Sequence, residues 1–75
     1  MPHIIVKLYP GRSEEQKNTL VEKIVQDVVE ILGNSEDSVS VAIEEVPPKD
    51  WGEKIYRKEI APNADTLYKK PGYSL

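Results

Sequence analysis

Cysteine and phenylalanine are absent from this chain of 75 residues, and histidine and tryptophan each occur once. Without cysteine the chain forms no disulfide and offers no thiol as a nucleophile or metal ligand. A single histidine also argues against a structural zinc site, which needs four nitrogen or sulfur ligands. We therefore expect neither a metal nor a cofactor, and any catalysis must come from other groups.

An excess of positive charge is also missing, because the formal net charge is −3 at pH 7. The chain thus lacks the basic surface that nucleic-acid binding requires. No apolar stretch approaches the roughly 20 residues of a membrane span. The N-terminus shows no basic region followed by a long apolar run, so we expect no signal peptide. These absences predict a cytoplasmic protein with no nucleic-acid partner and no membrane partner.

The short length predicts one domain over residues 1–75, and it also predicts self-association. Small domains bury a smaller share of their surface than large ones. Because disulfides and metals are excluded, oligomerisation is the remaining way to stabilise so small a scaffold. We therefore expect a homo-oligomer.

Two alternating segments predict two strands. Residues 3–9 place Ile4, Val6 and Leu8 on one face, and residues 38–45 alternate in the same way. Pro47-Pro48 then ends the second strand.

A long amphipathic helix is predicted between the strands, over residues 14–32. Ser13-Glu14-Glu15-Gln16 has the pattern of a capping box, and Gly33 is a suitable residue to end the helix. An α/β (α+β) fold follows, in which a βαβ unit carries a parallel strand pair and a crossover helix. The apolar stripe of the helix comprises Leu20, Val21, Ile24, Val25, Val28, Val29 and Leu32.

The C-terminal third shows weaker patterns. Trp51 lies in a turn-like region, residues 54–60 predict a short helix, and residues 64–69 predict a further helical turn. Residues 70–75 read as an irregular tail.

Pro2 is the first candidate for chemistry. Removal of Met1 would leave the secondary amine of Pro2 at the N-terminus, and α-amino groups titrate at about 7.7–8.0. Burial and a nearby cation lower an amine's pKa, so this amine would be a general base at neutral pH. The alternative is that the proline marks only where the gene begins.

Arg12 and Trp51 are the other candidates. Arg12 stands in the strand-to-helix loop, where a guanidinium can bind a carboxylate through two hydrogen bonds. Pro2 and Arg12 begin near opposite ends of the first strand, so the loop must fold back or a neighbouring subunit must supply one of them. Trp51 can line an apolar pocket or simply pack in a core or interface. Arg57, the other arginine, is interpreted as a surface charge.

These residues lie in motifs that resemble the 4-oxalocrotonate tautomerase family. The resembling segments are Met1-Pro2, Gly11-Arg12-Ser13, Glu15-Gln16-Lys17 and the second strand, and the likeness covers residues 2 to about 51. The ending, from Glu59-Ile60-Ala61-Pro62 to Lys69-Lys70-Pro71-Gly72-Tyr73-Ser74, is similar to the PptA-type tautomerases. Those form a dimeric branch that acts weakly on the enol of phenylpyruvate.

The resemblance implies a cofactor-independent tautomerase, an isomerase acting on 2-oxo acids and their enols. Pro2 would be the catalytic general base, Arg12 would be a second catalytic residue that engages a substrate carboxylate or oxo group, and Trp51 would contact the substrate. It also implies a homodimer, favoured over a hexamer, that completes a four-stranded mixed sheet.

One position departs from the family's prototype, which has an arginine where this chain has Ser40. The departure disfavours diacid substrates and favours an aromatic mono-acid, and it leaves open whether Arg57 or Lys49 compensates. Two alternative functions also stay open. Pro2 would act as an iminium-forming nucleophile in a decarboxylase, hydratase or dehalogenase, or the chain would be a non-catalytic interaction module.

Overall fold

The computed structural model describes residues 1–75 and divides them into two units, Met1–Glu45 and Val46–Leu75. The first unit contains strand β1 (His3–Leu8), helix α1 (Glu14–Leu32), a 3₁₀ turn (Glu36–Ser38) and strand β2 (Ser40–Glu45). The second contains helix α2 (Pro48–Trp51), a π-helical segment α3 (Gly52–Ile60) and a 3₁₀ segment (Ala61–Thr66). Residues 67–75 follow without regular structure.

The two strands pair in parallel, as the sequence predicts for a βαβ unit. His3 lies opposite Ser40 at one end of the ladder, and Leu8 lies opposite Glu45 at the other. Partner residues in register share a face of the sheet, since side chains alternate along each strand. Each strand is hydrogen-bonded only to the other, so one edge of β1 and one edge of β2 pair with no strand of the chain.

The bounds of α1 confirm the prediction of a helix over residues 14–32. The Gln16 N–H donates to Ser13 Oγ at 3.1 Å, and the Ser13 N–H donates to Gln16 Oε1 at 3.0 Å. This reciprocal pair is the expected capping box. Gly33 adopts a left-handed conformation with φ of 75°, and its N–H donates to the Val29 carbonyl at 3.1 Å. The glycine ends the helix because it carries no Cβ to strain that conformation.

The second strand is shorter than predicted, because residues 38 and 39 belong to a local turn. The Ser38 N–H and hydroxyl both donate to the Ser35 carbonyl, at 3.1 and 2.8 Å. The Val39 N–H donates to the Glu36 carbonyl at 3.1 Å. These short-range hydrogen bonds compete with the sheet ladder, and β2 therefore begins at Ser40.

The predictions for the C-terminal third need three corrections. Trp51 ends α2 and is not in a turn, because Pro48 suits the first turn of a helix. The predicted helix over 54–60 is present but begins at Gly52. The predicted turn over 64–69 lies earlier, at Ala61–Thr66, where Asn63 Nδ2 donates to the Glu59 carbonyl at 2.9 Å and stabilises the bend.

Several large apolar side chains of the single chain are exposed. The first unit contains no fully buried residue, and Ile31 and Leu32 on α1 are 78% and 63% exposed. Ile55, in the second unit, is the buried hydrophobic residue. None of the helices combines the length and the apolar character needed to cross a bilayer.

Candidate functional site

Pro2 is anchored at the start of the sheet. Its carbonyl oxygen accepts the N–H of Ser40 at 3.1 Å, so the ladder holds the backbone of Pro2 directly before β1. Pro2 is half-buried, whereas Met1 is fully exposed. In the intact chain the Pro2 nitrogen is an amide, and it becomes an amine only when Met1 is removed. The full exposure of Met1 means that its removal costs no packing.

Arg12 lies in the loop between β1 and α1. Gly11 precedes it with φ of 120°, a conformation that side chains rarely adopt, and Ser13, the N-cap of α1, follows it. The side chain is exposed, and its guanidinium makes no hydrogen bond or ion pair within the chain. Arg12 is thus an unpaired cation beside a helix N-terminus, where anions are favoured.

Lys17 is the second cation near this loop, but its charge is already neutralised. Its ammonium lies 2.9 Å from Glu14 Oε1 and 3.5 Å from Glu45 Oε2. The hydrogen bond with Glu14, and a smaller contribution from Glu45, raise the pKa of Lys17 above its usual 10.5. Arg12 is therefore the cation of this region that remains available to a ligand.

Pro2 and Arg12 lie at opposite ends of the sheet within one chain. The contact between Lys17 and Glu45 places the first turns of α1 at the end where the strands finish. Pro2 lies at the other end, where its carbonyl meets the first residue of β2. The six residues of β1 rise about 3.3 Å each, or roughly 20 Å in total. A single chain therefore does not bring these two groups together.

Ser40, which stands where the family's prototype has an arginine, is hydrogen-bonded to His3. Ser40 Oγ and His3 Nδ1 share a hydrogen bond of 2.6 Å across the first rung of the ladder. Both residues are exposed, and no guanidinium occupies this point of β2. The hydrogen bond was not predicted, because it depends on the register of two strands that are 37 residues apart.

Trp51 belongs to an aromatic cluster within the second unit. Its indole N–H donates to the Tyr73 hydroxyl at 3.0 Å, and the rings of Tyr73 and Tyr56 have centroids 5.8 Å apart at an angle of 39°. The Arg57 guanidinium lies beside Gly52, where Nη2 would be 3.8 Å from a Cβ at that position. Arg57 has no hydrogen-bond or ion-pair partner. The contact between Trp51 and Tyr73 was not predicted, since nothing in an irregular tail indicates what its residues contact.

A groove of about 550 Å³ runs along α1. Val21, Val25 and Val29 form its apolar part, and Glu36 borders it from the following turn. None of the predicted site residues lines this groove. Its open, apolar character matches the uncovered surface of the first unit and does not indicate a catalytic pocket.

Comparisons with known proteins agree with this geometry. The family model described as "Tautomerase enzyme" matches residues 2–54. The chain is 45% identical to tautomerase PptA of Cronobacter sakazakii over 76 aligned positions, covering 100% of both chains. It is 41% identical to a probable tautomerase of Xylella fastidiosa, covering 97% of this chain and 89% of that one. Among solved structures, YwhB, described as a homologue of 4-oxalocrotonate tautomerase, is 46% identical with a TM-score of 0.60. That match covers 61% of this chain and 75% of YwhB.

Proposed function

The chain belongs to the tautomerase family and is an isomerase, and from this premise we propose that it is a cofactor-independent keto–enol tautomerase of 2-oxo acids such as phenylpyruvate. The observation that carries the proposal is the position of Pro2. The family match begins at Pro2 and not at Met1, and the ladder holds Pro2 in place beside a fully exposed Met1. The anchored proline supports a mature chain whose N-terminal amine takes part in the reaction.

In this proposal the Pro2 amine is the general base. This role requires the neutral form of the amine, which loss of solvation and a nearby cation favour over the charged form. The neutral amine accepts the proton of the enol hydroxyl while the carbonyl forms, and the resulting ammonium delivers a proton to the adjacent carbon, which regenerates the neutral amine. The reverse reaction begins with removal of that carbon-bound proton.

Arg12 and Trp51 bind the substrate in this proposal. The unpaired Arg12 guanidinium receives the carboxylate of the 2-oxo acid through two parallel hydrogen bonds. Trp51 contacts an aromatic side chain of the substrate. Because Ser40 carries no charge, diacids lack a second partner there. Arg57, whose guanidinium has no partner and lies beside the residue after Trp51, is our candidate for the compensating cation in preference to Lys49.

We further propose that the site is completed by a second copy of the chain in a cytoplasmic homodimer, with residues 1–75 acting as one functional domain. The edges of two β1 strands that pair with no strand of their own chain can pair with each other in an antiparallel orientation, which gives a four-stranded mixed sheet. That pairing places Pro2 of one copy near the end of β1 of its partner, where the partner's Arg12 lies. It also adds neighbours to a first unit that contains no fully buried residue.

The test compares two preparations that differ only at the N-terminus. The chain is produced with and without inhibition of methionine aminopeptidase, and mass spectrometry establishes whether Met1 is present. We expect ketonisation of phenylenolpyruvate to be 10²–10⁴-fold faster, as an order of magnitude, when Met1 has been removed, because only then is the base an amine.

The substitution Pro2→Ala should also slow the reaction, whereas Pro10→Ala, a change at an exposed loop proline, should leave it unchanged. Equal rates for the two N-terminal forms would remove Pro2 from the mechanism.

A further inference from the structure

Tyr73, in the C-terminal tail, belongs to no strand or helix, yet it has a defined position in the second unit. Tyr73 lies in the irregular segment after Thr66, yet its hydroxyl accepts the Trp51 indole N–H at 3.0 Å across 22 residues. That distance is typical of a well-formed N–H···O hydrogen bond. Leu75 also returns to the start of α3, with a methyl carbon 3.8 Å from a Cβ placed on Gly52.

We infer that Tyr73 is a positioning residue, which holds the Trp51 indole in the orientation that contacts the aromatic ring of the substrate. This inference rests on the proposed function, in which Trp51 binds the substrate ring. Trp51 is half-buried, and its side chain adopts one of several staggered rotamers. The hydrogen bond from the indole N–H to Tyr73 restrains this choice directly, because only some rotamers bring the nitrogen to the hydroxyl.

Tyr73 is itself held in place, which a positioning residue requires. Its ring lies 5.8 Å from that of Tyr56, within the range of favourable tilted aromatic pairs. Tyr56 extends from α3, the same segment that carries the buried Ile55. The orientation of the indole is thus linked through Tyr73 to the best-packed part of the second unit.

A tail that serves only to stabilise the fold would affect all substrates alike, whereas a positioning role predicts an effect confined to aromatic substrates. For Tyr73→Phe, which removes the hydroxyl and keeps the ring, we expect KM for phenylenolpyruvate to rise about two- to tenfold, the effect of losing one hydrogen bond. The KM for the enol of an unbranched aliphatic 2-oxo acid should stay unchanged, and so should kcat for both.

The single tryptophan provides a readout that needs no substrate. Because Trp51 is the only tryptophan, the indole emission of the folded protein reports on this residue alone. We expect Tyr73→Phe to shift that emission, whereas Tyr68→Phe should not, since Tyr68 lies in the same tail but is fully exposed and makes no hydrogen bond or ring contact. Emission identical in the two variants would overturn the inference.

A double-mutant cycle separates positioning from general destabilisation. Trp51→Phe removes the indole N–H, so adding Tyr73→Phe to it should raise KM no further if the two residues act through their shared hydrogen bond. Additive effects, or equal increases in KM for the aromatic and aliphatic substrates, would refute positioning. A wild-type protein inactive on phenylenolpyruvate would refute the proposed function instead, and the emission comparison would still decide whether Tyr73 holds Trp51.

Discussion

In the proposed homodimer each active site takes Pro2 from one chain and Arg12 from its partner, so mixing two impaired variants should restore activity. Within one chain these residues are separated by the length of β1, roughly 20 Å at about 3.3 Å for each of its residues. In a two-fold dimer of Pro2→Ala with Arg12→Ala, one site has both native groups and the other has neither. Each homodimer contains only incomplete sites.

The expected recovery follows from statistics. After unfolding, mixing in equal amounts and refolding, about half of the dimers contain one chain of each variant, and one of their two sites is complete. The mixture should therefore show about a quarter of the wild-type rate of phenylenolpyruvate ketonisation at equal total protein. Each variant refolded alone supplies the background to be subtracted.

A second mixture makes the opposite prediction and serves as the control. Wild-type chains mixed equally with the Pro2→Ala/Arg12→Ala double variant form heterodimers in which no site has both groups. The rate should then be about a quarter of that of wild type alone, whereas sites built within one chain would give about half. No recovery in the first mixture, together with half activity in the second, would refute the shared site.

Three further predictions concern the helix cap Ser13, the cation Arg57 and the cation Lys17. Ser13→Ala should lower the unfolding free energy by about 1 kcal/mol through loss of the capping box, measured by denaturant titration; Ser35→Ala, whose side chain caps nothing, should change it little. Arg57→Met should raise KM for phenylenolpyruvate more than Lys58→Met, and equal effects would argue for a diffuse charge effect. The stabilising interaction of Lys17, whose pKa is raised in the fold, should be fully present below its ordinary value of 10.5 and lost only as the pH rises through the folded-state value. Lys17→Met should therefore be less stable than wild type in neutral thermal melts, and a difference that persisted at pH values well above that range would contradict this origin.

The strand–helix–strand order could be predicted because its signals are local. Ser13 and Gln16 lie three positions apart, and they form the predicted capping box with hydrogen bonds of 3.0 and 3.1 Å. Gly33 likewise ends α1 by a conformation that depends on its own backbone. The predicted start of β2 was wrong, because the N–H groups of residues 38 and 39 form hydrogen bonds within a local turn. The alternation of apolar residues does not indicate that turn.

The candidate site was only partly predictable. Pro2, Arg12 and Trp51 are recognisable by residue type and by motif, and their catalytic and binding roles stay predictions. The partner of Trp51 was not foreseeable, because Tyr73 follows a segment with no periodic pattern. The hydrogen bond between Ser40 and His3 depends on strand register, which a one-residue shift would abolish.

The sequence by itself determined which segments form β1, α1 and β2, which residue types can carry the chemistry, and that a chain without cysteine needs some other source of stability. Those properties follow from interactions over a few residues and from composition. Only the tertiary structure decided that the loop after β1 does not fold back to bring Arg12 to Pro2, and that Tyr73 meets Trp51 across 22 residues. Such relations depend on strand register and on the path of the chain in space, because hydrogen bonds form between groups that are close in three dimensions, however far apart they are along the sequence.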